Sequence, residues 1–159
     1  MPKPVDVTLP NDTEIVVKRS FDAPAEMVFD FYTKPELVRQ WMLGPDGWSM
    51  PVCEIDLRVG GGYRYVWRAD DDSHEFGATG EYHEIEAPTR IVNTERMDGF
   101  DGKSLCTLTL EEAGGKTLMI SSMVFDSREA RDGAVATGMT DGMAQSFDRM
   151  EEAMQAQAA

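Results

Sequence analysis

Six apolar side chains recur near the end of the chain, Val135, Met139, Met143, Phe147, Met150 and Met154, at spacings of four, four, four, three and four. At 3.6 residues per turn they fall on about a third of a helical circumference, with Asp141, Asp148 and Glu152 on the other side. The pattern predicts one helix over residues 128–154, capped by Asp126 with Glu129 three residues on, as in a capping box. At about 1.5 Å per residue it would run roughly 40 Å, and an apolar stripe of that length must be covered by an element of similar reach. Gly133, Gly138 and Gly142 lie inside it, each costing about 1 kcal/mol relative to alanine. Gly138 and Gly142 strip side chains from one edge of the stripe. That edge reads either as close packing against a sheet or as room for a ligand walled by adaptable methionines, with Gly142 facing the gap.

The preceding residues supply the sheet. Thr13 to Phe21 alternates with Ile15, Val17 and Phe21 as core candidates. Pro24 then opens a short helix carrying Met27, Val28, Phe31 and Tyr32, and Pro35 to Trp41 forms another. Leu43 to Pro51 reads as a loop carrying Trp48 and Met50. Six more strands follow: Val52–Leu57, Tyr63–Arg68, Phe76–Ile85, Arg90–Met97, Lys103–Glu111 and Thr117–Phe125. The turns between them from Gly60 onward are short and rich in glycine, aspartate and proline, which implies an antiparallel meander. The expected architecture is α+β: seven antiparallel strands curved around a long C-terminal helix, with two short helices between strands one and two. Residues 1–12, with Pro2, Pro4 and Pro10, read as a loose arm, and 13–154 as a single domain.

Charge narrows the function classes. With 29 acidic against 15 basic residues the formal charge is −14, so nucleic acid and anionic membranes are poor partners. No apolar run approaches the ~20 residues that span a bilayer, and the N-terminus lacks a signal peptide's apolar core, so a cytoplasmic protein is expected. Cys53 and Cys106 form no CxxC and are expected to be free thiols. His74 and His83 are too isolated for a metal site. Gly60-Gly61-Gly62 precedes a strand and lacks the lysine of a P-loop, and Asp70-Asp71-Asp72 lacks the spacing of a calcium loop. No metal or cofactor is expected.

The segments FDAPAEMVFDFYTKPELVRQW, IDLRVGGGYRYVW, GEYHEIEAPTRIVNTE and SREARDGAVATGMTDGMAQSFDRMEEAM, spread over 13–154, resemble the START/Bet v-like (SRPBCC) superfamily. Within it they resemble the group named after the C-terminal domain of the activator of the heat-shock-protein-90 ATPase. The resemblance implies a helix-grip fold with a cavity between sheet and C-terminal helix. It also implies the range of that superfamily's roles, among them lipid carriage and aromatic-polyketide cyclisation. The co-chaperone itself carries a further N-terminal domain not found in these residues, so chaperone activation is not the leading expectation.

The implied lining comes from several elements. Trp48 and Met50 contribute from the loop, Tyr63, Tyr65 and Trp67 from one strand, and Phe76, Ala78 and Tyr82 from the next. Leu108 and Ile120 come from the last two strands, where Leu110 and Leu118 also point inward, and Met139, Gly142, Met143 and Phe147 from the helix. On Arg90–Met97 one face holds Ile91, Asn93 and Glu95 and the other Val92, Thr94 and Arg96; the family's Thr-Glu pair at Thr94-Glu95 favours Glu95 inward. A carboxylate in an apolar cavity has a raised pKa and can act as an acid or base, or it can pair with Arg64 or Arg68. The leading expectation is binding of a small hydrophobic or aromatic molecule, with room for a homodimer. The alternatives are a cofactor-free cyclase or dehydratase using Glu95 with a tyrosine, and a chaperone-partner interaction module.

Overall fold

The computed structural model describes residues 3–100 and 102–158. Its strands are β1 (Asp6–Thr8), β2 (Glu14–Phe21), β3 (Trp48–Ile55), β4 (Gly62–Ala69), β5 (Glu75–Glu86), β6 (Arg90–Met97), β7 (Ser104–Ala113) and β8 (Lys116–Val124). They form one antiparallel sheet in the order β1-β2-β8-β7-β6-β5-β4-β3. Helices α1 (Ala25–Thr33) and α2 (Pro35–Val38) lie between β2 and β3, and α3 (Arg128–Ala136) and α4 (Met139–Ala158) follow β8. The α+β architecture and the strand meander are as expected.

Three expectations of detail change. The sheet has eight strands rather than seven, because Asp6–Thr8 of the supposed loose arm pairs with Val16–Lys18. Trp48 and Met50 belong to β3 rather than to a loop; the strand bulges between Ser49 and Val52, around Pro51. The helix expected over 128–154 is two helices, broken where Gly138 adopts φ +79°. Left-handed backbone is the usual way for a glycine to end a helix, and the 3.6-residue stripe carries no trace of it. The cap of α3 is Ser127, whose side chain accepts from Ala130 N at 3.0 Å. Asp126 instead accepts from Lys103 N at 2.9 Å and ties the end of the sheet together.

The core forms where the closing helix meets the start of the sheet. Ile15, Val17 and Phe21 of β2, Met119 of β8, and Met150 and Met154 of α4 are all fully buried. Trp41 seals this end from α2's side, donating from its indole N–H to Phe31 O at 2.7 Å and stacking 6.1 Å from Phe147. Burying an aliphatic or aromatic side chain is worth about 1.5–3 kcal/mol, so this cluster is the main attachment of α4.

Strict alternation on β2 also turns Arg19 inward, where it is buried. Its guanidinium lies 4.5 Å over the Phe21 ring and reaches Asp148 at 3.0 Å and Glu151 at 3.1 Å on α4. Lys3 completes the network at 2.7 Å from Glu151 and 2.7 Å from Asp22. Burial works against the charged forms here, yet the network prevails, holding the Glu151 carboxyl below its ordinary range and the Lys3 ammonium above its own. Both cysteines are free thiols. Among the described residues, no helix is long and apolar enough to cross a membrane.

Candidate functional site

At the other end of the concave face, β4, β5 and β6 set Tyr63, Gly80 and Glu95 side by side across three strands. Gly80 is the enabling residue: a Cβ there would fall inside the Tyr63 ring. Without one, the phenol lies flat over β5 and its hydroxyl donates to Glu95 Oε2 at 2.5 Å. Asn93, two residues along β6, donates from Nδ2 to the same phenolic oxygen at 3.0 Å. The phenol has one proton, committed to Glu95, so its oxygen can only accept from Asn93. The three side chains fix one another's orientation.

Aromatic rings surround this group. Tyr65 stacks on Tyr63 with centroids 4.3 Å apart, and Tyr82 lies 5.7 Å away on the other side. The series continues outward through Trp67, Phe76 and Trp48 at 5.7, 5.1 and 5.5 Å. Phe76 is its exposed rung, 43% accessible and stacked on Trp67 at the end of the sheet rather than in the interior. Trp67 is fixed by its indole N–H, which donates to Met42 O at 2.7 Å.

The Glu95 carboxyl has no cationic partner among the described residues. Arg64 is taken by Asp98, with bonds of 2.8 and 2.7 Å, and Arg68 by Glu75 at 2.8 Å. Glu95 is half-buried, its carboxyl largely withdrawn from solvent beneath the tyrosines. Burial therefore raises its pKa, with the Tyr63 hydrogen bond working against the rise. Burial, reinforced by the nearby Glu95 charge, also pushes the Tyr63 hydroxyl well above its usual range, and the Cys106 thiol on β7 up to about 12. The hydroxyls of Tyr65 and Tyr82 find no hydrogen-bond partner among the described residues, nor does Glu95 Oε1. These three atoms lie on a single aromatic face and keep some solvent contact; the fully buried side-chain atom without a partner among the described residues is Arg19 Nε.

The rest of the expected lining divides. Met50, Ala78, Leu108 and Phe147 are buried, and Trp48, Met139 and Met143 keep partial exposure. Ile120 and Leu118 face the convex side. Leu110 pairs with Met119 and Leu108 with Ser121, so β8 turns Thr117, Met119, Ser121 and Met123 inward. Both faces of this strand are about equally apolar, and Thr117 is satisfied inside by donating to Ala23 O at 2.7 Å. Gly142 does not face the sheet: a Cβ there would lie 3.5 Å from Pro45 Cδ and 3.7 Å from Gly44 Cα, in a loop beside α4. Cys106 joins the site without having been singled out from sequence, while Asn93 and Gly80 lie on the faces that sequence alternation turns inward, without a role assigned to them there. Gly80 carried a readable signal, a glycine on the inward face of a strand.

Two shallow concavities open on the sheet. One, about 330 Å³, is lined by Glu54, Ile55, Asp56, Gly62, Tyr63 and Arg64. The other, about 210 Å³, is lined by Thr79, Gly80, Glu81, Thr94, Glu95, Arg96 and Lys103. Neither is lined by a helix residue. Among the described residues, no group of three or more histidine, cysteine, aspartate or glutamate side chains is placed to hold a metal ion.

A family profile described as Activator of Hsp90 ATPase homolog 1-like protein matches residues 22–155. A solved protein from Rhodobacter sphaeroides is 27% identical with a TM-score of 0.90, over 96% of this chain and 98% of that one. One from Staphylococcus epidermidis is 28% identical with a TM-score of 0.78, over 91% and 90%. An AHSA1-like protein from Aeromonas hydrophila, 23% identical, shares the fold with a TM-score of 0.66 over 85% and 92%. No curated protein sequence matches. With the profile spanning most of the chain, this protein belongs to the Activator of Hsp90 ATPase homolog 1-like family.

Proposed function

We propose that the protein binds a small hydrophobic or aromatic molecule on the concave face of its sheet, against Tyr63, Tyr65 and Tyr82. The observation that carries this reading is the set of polar atoms on that face, Glu95 Oε1 and the Tyr65 and Tyr82 hydroxyls, without protein partners among the described residues. An apolar surface with a few convergent polar groups is the usual chemistry of a small-molecule site. Access follows from the gradient along the closing helices: Met150 and Met154 are fully buried, while Met139 and Met143 are only partly so. The ligand would enter under that looser end.

Titration with the neutral dye Nile red, followed through ¹³C-labelled methionine methyls, tests the proposal. Saturable binding should move Met123, Met139 and Met143 and leave Met150 and Met154 in place. Absence of saturable binding, or shifts that spare the first three, would defeat it.

The short bond between Tyr63 and Glu95 supports a second reading, proton transfer by a cofactor-free enzyme. A carboxyl with a raised pKa hydrogen-bonded to a phenol is a competent acid–base pair.

A further inference from the structure

We infer that the ligand of this face carries a compact cationic, hydrogen-donating head such as a protonated amine on its apolar body, with Glu95 Oε1 as the counter-ion. The inference rests on the binding reading above and adds the sign of the ligand's charge.

Four features converge on it. The concave face around Tyr63 presents one ionisable carboxyl, and among the described residues no lysine, arginine or histidine pairs with it; the two arginines on β4 are bonded to Asp98 and Glu75. A buried carboxylate without a cation is unfavourable, and a ligand ammonium would supply what the chain withholds. Tyr63 and Asn93 occupy Oε2 and the phenolic oxygen, so the free oxygen Oε1 has a fixed position. Tyr63 is covered by Tyr65 on one face and by β5 at Gly80 on the other, which leaves Tyr65 and Tyr82 as the aromatic neighbours that favour a cation further. The Tyr65 and Tyr82 hydroxyls can accept or donate and do not oppose it. An anionic head would be repelled by the ionised Glu95. The net charge of −14 also raises the local concentration of cations around the molecule.

The other titratable groups at this face are Tyr63, Tyr65, Tyr82 and Cys106, all held neutral at ordinary pH by burial. Glu95 is therefore the group whose ionisation binding would sense. A cationic ligand favours its charged form, so affinity for an amine should rise with pH as Glu95 ionises and then level off.

The test uses three probes of matched size: 2-phenylethylamine, 2-phenylethanol and 3-phenylpropionate, titrated against the full chain by NMR. The amine should bind about tenfold tighter than the alcohol, and the carboxylate more weakly than either. Glu95→Gln should erase the amine's advantage over the alcohol. That variant alters the net charge by a single unit, so non-specific attraction to the acidic surface survives it. Tyr63→Phe, which keeps the ring stack and removes the hydroxyl that orients the carboxylate, should weaken the amine selectively. Equal affinity for all three probes, or tightest binding of the carboxylate, overturns the charge assignment while sparing the binding reading. Failure of all three while Nile red still binds likewise overturns the charge assignment. If Nile red fails too, the binding reading falls with it.

Discussion

Glu151 on α4 and Glu95 on β6 are two partly buried carboxyls, and the protein treats them in opposite ways. Glu151 receives Lys3 at 2.7 Å, Arg19 at 3.1 Å and Gln155 at 3.2 Å, and its pKa is lowered. Glu95 receives one phenol, and its pKa is raised. The end with the satisfied carboxylate is also the end where Phe147, Met150 and Met154 are sealed against β2 and β8. The end with the unsatisfied one lies on the half of the face where the closing helix is broken and its methionines stay partly exposed. A chain can thus hold one end of its helix shut with charge while leaving another carboxyl without a cation.

The largest effect should come from breaking the sealed end. Arg19→Met leaves Asp148 and Glu151 without their buried cation. The loss should be about 2–3 kcal/mol in urea denaturation, below the range for a fully buried pair because both acids keep solvent contact. A loss well under ~1 kcal/mol would mean that packing alone seals this end.

Next come the glycines that loosen the other end. Gly138→Ala should destabilise by about 1–2 kcal/mol, because alanine is strained at φ +79°. Gly142→Ala should instead stabilise by up to about 1 kcal/mol, since its Cβ would rest in ordinary contact with Pro45 and the helix gains propensity. Gly142→Leu should forfeit that gain by pushing on a loop pinned where Gly44 N donates to Ser146 Oγ at 2.8 Å and Arg149 donates to Gly44 O at 2.6 Å. Thermal melts of the three variants order them directly, and similar behaviour of Gly138→Ala and Gly142→Ala would contradict the break.

The smallest effect, on the order of a degree or two in Tm, sharpens the comparison through pH. Glu95 has a raised folded pKa, so its contribution favours folding below the ordinary value of 4.5 and is lost as pH rises through the folded pKa. Glu95→Gln should therefore melt higher than the parent at pH 7, with the gain shrinking toward pH 4.5. Glu151 has a lowered pKa, so it stabilises above 4.5 and that stability is lost as pH falls through the folded pKa. Glu151→Gln should melt lower at pH 7, the deficit closing only below 4.5. Melting differences of the same sign for both variants would dissolve the contrast.

Sequence carried the architecture well because two periodicities, 2 along the strands and near 3.6 along the end of the chain, are fixed by backbone geometry. Glu95 was readable as an inward residue through the family's Thr-Glu pair and the alternation of β6. Other features were hidden for identifiable reasons. A three-residue strand such as Asp6–Thr8 is too short to show alternation. Gly138 preserves the apolar stripe across a break, since restarting the helix at Met139 keeps the same face inward. Leu118 and Ile120 look like core residues, but register against Leu108 and Leu110 decides the face, and register is not local. Arg19 was the missed signal: the alternation that buries Ile15, Val17 and Phe21 also buries the arginine between them. Its charge argued for solvent only until Asp148 and Glu151 arrived from the far end of the chain.

The bulge around Pro51 has a consequence for the molecule's behaviour in a crowd. β3 is the outermost strand on its side, with no amide hydrogen at Pro51 to offer a neighbour, and β1 on the opposite edge is only three residues long. Neither border can template the strand of another copy, which is how open sheets grow into aggregates. The two borders are thus blunted against edge-to-edge growth by strand pairing.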